Sequence, residues 1–165
     1  MIIPPPKVAE FQAYIETIDS KRMRILEAMR LLLREVKVEN GYKTEIMEVS
    51  YDVKMWRDKS IGQTPVVYII DDTSNLVTHA GHIREYVWNI RLFGVIREKT
   101  IVEFEEFISD METAIYDNNT LFGQCNLVRV REISTDNQLF SELDGTHLFE
   151  MNAEVLYTRK FDRPK

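Results

Sequence analysis

Hydrophobic and polar residues alternate along residues 86–97. The apolar side of this segment carries Tyr86, Trp88, Ile90, Leu92 and Ile96. Successive side chains of a β-strand point to opposite sides, so this alternation predicts a long strand with one buried face. Phe93 and Val95 are apolar on the opposite, otherwise polar face. We therefore expect them to be covered, either by a helix or by a neighbouring subunit.

Alternating or continuous apolar segments predict four more strands. They span residues 47–55, 65–70, about 126–134 and about 149–158. Residues 71–75 are rich in turn-forming types, and residues 76–85 have no clear period, so we expect a loop over 71–85. Pro65 is compatible with the first position of a strand or with an edge strand.

Apolar residues at spacings of three and four predict helices. Val8, Phe11, Ile15 and Ile18 mark a short leading helix, and the main helix covers residues 21–37. Asp19 or Ser20 is expected to cap the main helix. Thr100 and Glu103 match a capping box, which predicts a second main helix that ends near residues 118–119.

These elements predict an α+β fold, with one mostly antiparallel β-sheet and two main helices packed on one face, in the order α-β-β-β-α-β-β. Residues 1–20 are interpreted as an N-terminal arm or a short leading helix. Residues 21–165 are interpreted as a single domain, which is an ordinary length for one hydrophobic core.

The composition argues against several classes of function. The net charge of −6 argues against a protein whose main task is to grip duplex DNA. The sequence contains no apolar run of membrane-spanning length, and residues 1–6 lack the features of a signal peptide, so we expect no membrane contact. The single cysteine, Cys125, excludes an internal disulfide and is expected to be buried.

Charge is unevenly distributed along the chain. Residues 21–37 carry six basic and two acidic residues, whereas residues 98–117 carry seven acidic residues and one basic residue. The segment 159–165 is basic again. Oppositely charged faces are a means of docking one copy of a chain on another, although two solvated helix faces would give the same pattern.

Four segments together resemble the tail terminator, or tail completion, proteins of long-tailed bacteriophages. They are the helix at 24–34, the strand Thr-Pro-Val-Val-Tyr-Ile-Ile at 64–70, the strand Trp-Asn-Ile-Arg-Leu-Phe-Gly at 88–94, and the closing strand at 149–159. The resemblance covers roughly residues 22–159. Residues 1–20 and 71–85 depart from the shortest form of the pattern.

The resemblance implies a structural virion protein that forms a hexameric ring, caps the tail tube, stops its polymerisation and offers a surface for head joining. The expected partners are copies of the chain itself, the tail tube protein and a head-completion connector protein. DNA would only pass through the lumen, without sequence recognition. The expected location is the head-proximal end of the virion tail, after assembly in the host cytoplasm. The alternative is a neck or head-completion connector protein.

The ring hypothesis suggests roles for individual residues. Trp56 is a candidate interface anchor because tryptophan is enriched at the centres of protein contacts. The other candidate interface residues are Phe93, Val95, Glu105 and Glu106. Arg30 and Arg34 share one helix face with Lys37 close by, and these three are candidates for a DNA-facing lumen that contacts phosphates.

A second alternative is a metal-dependent enzyme. His79, His82 and Glu85 lie within seven residues of one another, and Asp71 and Asp72 precede them. Imidazole and carboxylate groups are suitable zinc or iron ligands, but this spacing matches no established site. The sequence has no glycine-rich phosphate loop or nucleophile elbow. We therefore predict no catalytic residue, no cofactor and no metal, and we expect a protein that is not an enzyme.

Overall fold

The structure is a computed structural model that describes residues 3–135 and 145–160. It contains one five-stranded sheet with the strand order β1-β2-β3-β5-β4. The strands are β1 Glu48–Ser50, β2 Val66–Ala80, β3 Ile83–Arg97, β4 Leu127–Thr135 and β5 Thr146–Lys160. Only the β1–β2 pair is parallel among these neighbours. The predicted α+β class, with one mostly antiparallel sheet, is confirmed.

Three α-helices accompany the sheet. They are α1 Pro5–Glu16, α2 Lys21–Arg34 and α3 Ile101–Asp117. Ser20 caps α2 by accepting a hydrogen bond from the amide of Met23, and Thr100 with Glu103 forms the predicted capping box of α3. Within the described residues, none of the helices has both the length and the apolar character of a membrane span.

The predicted strand at residues 47–55 is wrong for most of its length. Only Glu48–Ser50 pairs with the sheet, and Val53–Asp58 forms a 3₁₀-helix. This helix brings Val53 and Trp56 onto the sheet face opposite the α-helices, where they pack against Phe93 and its apolar neighbours. Burial of that small cluster outweighs the alternating pattern, which would have continued the strand.

The predicted loop at residues 71–85 is also wrong. β2 continues to Ala80, the chain turns at Gly81 and His82, and β3 begins at Ile83. The turn-forming residues 71–75 are accommodated as a register shift between Asp71 and Ser74. Pairing with β3 keeps these residues in a strand, because a bulge tolerates local irregularity without ending the ladder.

The main core lies between the sheet and the helices. Its largest fully buried side chains are Trp88, Tyr157, Phe104, Phe107 and Phe149. Ile15 of α1 is also fully buried in this core, and Lys7 of α1 forms an ion pair with Glu35 at 2.8 Å. The leading segment therefore packs on the domain as a helix.

α2 and α3 occupy different sides of the same sheet face. Arg22 at the start of α2 donates hydrogen bonds to Asp71 of β2. The ring of Phe107 in α3 lies 5.1 Å from that of Phe149 in β5. Consequently α2 lies near the β1–β2 side of the sheet, and α3 lies near the β5–β4 side.

Candidate assembly surfaces at the two sheet edges

The first candidate surface, here called the basic edge, consists of Met23, Arg30, Arg34 and Lys37 beside β1 and β2. Arg30, Arg34 and Lys37 are the residues proposed from the sequence for the lumen. At 100° per residue, Met23, Arg30 and Arg34 fall within about 40° of one another around α2. Lys37 lies three residues beyond the end of this helix, so the predicted helix over residues 21–37 is too long at its C-terminal end. Arg34 is exposed, and Met23 lines a groove of about 360 Å³ between α2 and β2. The groove is also lined by Leu26, Tyr51, Val53, Ile69, Ile70 and Asp71.

A buried carboxylate supports this surface from below. Glu27 is only 5% exposed, and Arg30 donates two hydrogen bonds to it, at 2.9 and 2.6 Å. The hydroxyls of Tyr14 and Tyr51 donate two more, at 3.0 and 2.6 Å. The hydrogen bonds from Arg30 and the two tyrosines lower the pKa of Glu27 to about 2, despite its burial. Glu27 therefore remains ionised and joins α1, α2 and the segment after β1.

This network changes the interpretation of Arg30. Its guanidinium is committed to Glu27, so the pair carries no net charge at neutral pH. The Nζ atom of Lys37 lies 3.9 Å from a carboxylate oxygen of Glu39. This contact is longer and more exposed than the one between Arg30 and Glu27. Arg34 is thus the basic residue of this edge whose charge is most fully presented to solvent.

The second candidate surface, here called the acidic edge, consists of Glu105, Glu112 and Tyr116 on α3 beside β4. These three positions lie within about 40° of one another around the helix. Glu112 and Tyr116 border a groove of about 600 Å³ whose floor is formed by Leu127, Val128, Arg129 and Val130. Tyr116 is 79% exposed, an unusual situation for a large aromatic side chain.

Glu105 is exposed, as an interface residue requires, and Glu106 is partly exposed. Glu106 borders a different groove, near the start of α3. Asp110 makes no contribution to the charged surface, because it is buried and accepts hydrogen bonds from the amides of Lys43 and Thr44 at 3.0 and 2.7 Å. The acidic surface of α3 is therefore narrower than its sequence indicates.

Backbone edges accompany both surfaces. β1 pairs only with Val66–Tyr68, so in the described part of the chain β2 has no strand neighbour on that side beyond Tyr68. β4 pairs with β5 on one side, and no described strand lies on its other side. Such edges are common sites of association between chains.

Trp56, Phe93 and Val95 lie together, but mainly within the subunit. The rings of Trp56 and Phe93 are 5.8 Å apart, and both line a groove of about 330 Å³ with Leu148 and Glu150. Val95 is fully buried beneath them. The cover that the sequence pattern requires is therefore supplied by the 3₁₀-helix of the same chain, and Val95 is not available as a direct subunit contact.

Asp71 and Asp72 are not brought together with His82, whereas His79 pairs with Arg84, next to Glu85, on the strands that flank the turn. Asp71 accepts hydrogen bonds from Arg22 and from the indole of Trp88 at 2.8 Å, and Asp72 faces Arg91. His82 lies in the turn that follows Ala80. Ala80 is nine positions after Asp71 in β2, which corresponds to roughly 30 Å at about 3.3 Å per residue. The side chain of His79 is not among those that the structure describes. Among the described side chains, no cluster of three potential metal ligands occurs.

Cys125 is buried, as expected from the sequence. Burial raises the pKa of its thiol to about 12, so the thiol is protonated at neutral pH. The residue therefore acts as a small apolar group in the core.

The sequence is matched by no family model, and no curated protein matches it either.

Sequence reasoning missed two elements of these surfaces. In the sequence, Glu27 is one of two acidic residues in a basic segment, and its spacing of three from Arg30 is the signal that the two side chains pair. Tyr116 follows Glu105 and Glu112 on one helix face, and it sits outside the apolar stripe that includes Phe107 and Met111. That position was the signal of an exposed aromatic residue.

Proposed function

We propose that this chain is a structural, ring-forming subunit of the bacteriophage tail terminator type. It would cap the tail tube, stop its polymerisation and present a head-joining surface. Support comes from the resemblance of residues 22–159 to those proteins and from the α+β fold. The proposal makes the chain a virion component that contacts copies of itself, the tube protein and a connector protein.

The observation that carries the proposal is the exposure of large apolar side chains at both edges of the sheet. Tyr116 is exposed beside β4, and Met47 is 55% exposed beside β1. Apolar side chains next to unpaired strand edges favour association, because contact buries the side chains and satisfies the backbone. A single sheet with two such edges suits repeated assembly.

The distal hairpin offers a further contact region. Leu76 and Val77 in β2 are 51% and 60% exposed, near the turn at Gly81 and His82. The hairpin lies at one end of the strands, away from the 3₁₀-helix that contains Trp56. In a ring, one end of the strands would face the tube and the other the head, so this hairpin is suited to one of those two partners.

The test is electron microscopy of the tagged chain mixed with tail tubes assembled from the cognate tube protein. We expect label at one end of each tube and tubes of limited length when the chain is present during polymerisation. Label along the whole tube, or no label, would contradict a terminator. Binding to portal-containing heads but not to tubes would instead support the neck or connector alternative.

Metal analysis of the purified protein addresses the enzyme alternative. We expect no stoichiometric transition metal in the wild-type protein and no difference in the His82→Ala variant. A bound metal at one equivalent that is lost in the variant would favour a metalloenzyme and count against the proposal.

A further inference from the structure

The tertiary structure places the two oppositely charged helices at opposite edges of one sheet. α2 ends at Arg34, is followed by Lys37, and lies beside β1 and β2 through Met23 and Leu26. α3 carries Glu105 and Glu112 and lies beside β4 through Glu112 and Tyr116. We propose that copies of the chain associate head to tail, with the basic edge of one copy against the acidic edge of the next. This inference rests on the proposed ring function and specifies its subunit interface.

The start of α2 at the basic edge and the end of α3 at the acidic edge lie at corresponding positions along the strands. Arg22, at the start of α2, contacts Asp71, which pairs with Ile90. Near the end of α3, Tyr116 borders the groove that includes Val130, and Val130 pairs with Ala153, itself the partner of Ile90. The start of α2 and the end of α3 therefore lie at the same level of the sheet.

The other ends of the helices also match. The backbone amide of Ile46, just before β1, donates to the carbonyl of Val36, just after α2. Phe104, beside Glu105, lies against His147 and Phe149 of β5, and Phe149 pairs with Gly94, the partner of Val67. α2 and α3 thus run in opposite directions, with Arg34 and Glu105 at the same level.

A second copy placed beside the sheet, with its strands in the same orientation, then makes complementary contacts. Arg34 of one copy approaches Glu105 of the next, and Tyr116 of that next copy approaches the groove beside Met23. Tyrosine burying its ring in an apolar groove while its hydroxyl stays near water is a common anchor at protein contacts. The charges fix the orientation, and the groove supplies apolar burial.

Strand direction agrees with this arrangement. β2 is antiparallel to β3, β3 to β5, and β5 to β4, so β4 is antiparallel to β2. A neighbouring copy that keeps its strand direction brings its β4 alongside β2 in an antiparallel sense. That sense permits backbone hydrogen bonds where the register shifts of the two strands allow them.

A two-fold dimer is disfavoured by the same charges. Pairing two basic edges would bring two positively charged surfaces together, and pairing two acidic edges would bring two negatively charged surfaces together, and both contacts are repulsive. A contact between two different surfaces repeats from copy to copy and closes into a ring when the rotation permits. Arg34 and Lys37 accordingly belong to the subunit interface and not to the lumen.

Cysteine cross-linking tests the contact directly. The Arg34→Cys/Glu105→Cys double variant should form a ladder of covalent multimers under mild oxidation, because each copy carries both halves of the contact. The Arg34→Cys and Glu105→Cys single variants are the matched controls and should give no ladder. Covalent dimers in either single variant, as abundant as the multimers of the double variant, would establish a two-fold contact and overturn the inference.

Charge exchange provides a second measurement. Arg34→Glu or Glu105→Arg alone should raise the concentration for half-assembly at least tenfold, measured by light scattering at low salt. The Arg34→Glu/Glu105→Arg double variant should recover most of the loss, and Glu10→Arg on exposed α1 should change little. Equal weakening in the single and double variants would contradict a direct contact between the two positions.

Tyr116→Ser separates the groove contact from folding. Because Tyr116 is largely exposed in the single chain, the variant should unfold in urea like the wild-type protein while assembling more weakly. Unchanged assembly would overturn the groove contact.

The two proposals fail in different ways. If the wild-type protein forms oligomers and caps tubes but the double-cysteine variant gives no multimers, the edge contact is wrong and the terminator function stands. If the edge contact is confirmed but tubes are not capped, the terminator function is wrong and the head-to-tail interface stands. A protein that stays monomeric at all concentrations and on tubes would overturn both.

Discussion

At the residue scale, Glu27 shows how one buried carboxylate joins separate parts of the chain. It accepts hydrogen bonds from Arg30 and from two tyrosines on other elements. An ionised group in this position is stabilised by its donors, and removal of the charge leaves Arg30 half-buried without its partner. Glu27 is thus a stability determinant at the base of the basic edge.

Glu27 makes stability dependent on acid. Its pKa falls from 4.5 in the unfolded chain to about 2 in the folded protein, so its contribution is complete above pH 4.5 and is lost as the pH falls to about 2. The contribution is on the order of 3 kcal/mol. Glu27→Gln should lower the free energy of unfolding at pH 7 by about 2–4 kcal/mol and remove this part of the acid dependence.

Urea unfolding at several pH values between 7 and 2.5 measures both effects. Glu105→Gln is the matched control, since Glu105 is exposed, and it should leave stability nearly unchanged. Parallel pH profiles for the wild-type protein and Glu27→Gln would show that Glu27 does not carry the effect.

Gly94 is a second residue whose identity is set by a neighbour. It pairs across the sheet with Phe149, and a Cβ atom at Gly94 would overlap three atoms of that ring. The ring of Phe149 packs against those of Phe104 and Phe107, and these contacts restrict its movement away from Gly94. Gly94→Ala should therefore destabilise the fold by about 2 kcal/mol or more, as overpacked cores do.

Thermal and urea unfolding test this expectation. Gly62→Ala is the control, because a Cβ atom there would meet no atom within 4 Å. A loss of stability of equal size in both variants would indicate a general effect of replacing glycine, and not a clash with Phe149.

At the element scale, the start of α3 is determined locally. Thr100 accepts from the amide of Glu103, and Glu103 accepts from the amide of Thr100. Thr100→Ala removes one half of this exchange and should cost about 1 kcal/mol. Ser109→Ala in the same helix is a control that should leave stability unchanged or slightly higher, since alanine is the better helix former. Chemical denaturation measures the free energy of unfolding of both variants. Equal stabilities of Thr100→Ala and Ser109→Ala would contradict a role for the cap.

Two elements depart from their local patterns for tertiary reasons. Residues 71–75 have the composition of a turn, yet they stay in β2 because β3 pairs with them along the whole hairpin. Residues 51–55 continue an alternating pattern, yet they leave the sheet because Val53 and Trp56 are needed over Phe93. Local propensity is weak compared with burial of aromatic and branched side chains.

At the scale of the whole molecule, the centre strands of the sheet are paired on both sides, whereas its edges lack a second strand neighbour among the described residues. β3 and β5 pair with each other over fifteen positions. In the described part of the chain, β2 beyond Tyr68 pairs with a strand on one side, which is β3. We expect amide exchange to be slow in β3 and β5 and faster in β2 from residue 71 to residue 80.

Hydrogen–deuterium exchange at two protein concentrations measures this difference. On assembly, the amides of β2 and β4 should gain protection if these edges form the contact, while the centre strands provide an internal control. Protection confined to the hairpin turn, with no change at either edge, would contradict edge-to-edge association.

The sequence by itself determined the local and periodic features of this protein. The helix faces of α2 and α3, the capping box at Thr100, the long strand β3 and the burial of Cys125 all follow from short-range spacing or composition. Physical effects of this kind act between residues that are close in the chain, so a single sequence reveals them.

Only the tertiary structure decided which distant residues meet. It converted the predicted loop at 71–85 into a hairpin, buried Val95 under Trp56, and paired Arg30 with the ionised Glu27 beneath two tyrosines. It also placed the basic and acidic helices at opposite edges of one sheet. Pairing register and packing depend on contacts across many residues, and the energy of those contacts exceeds the preference of any short segment.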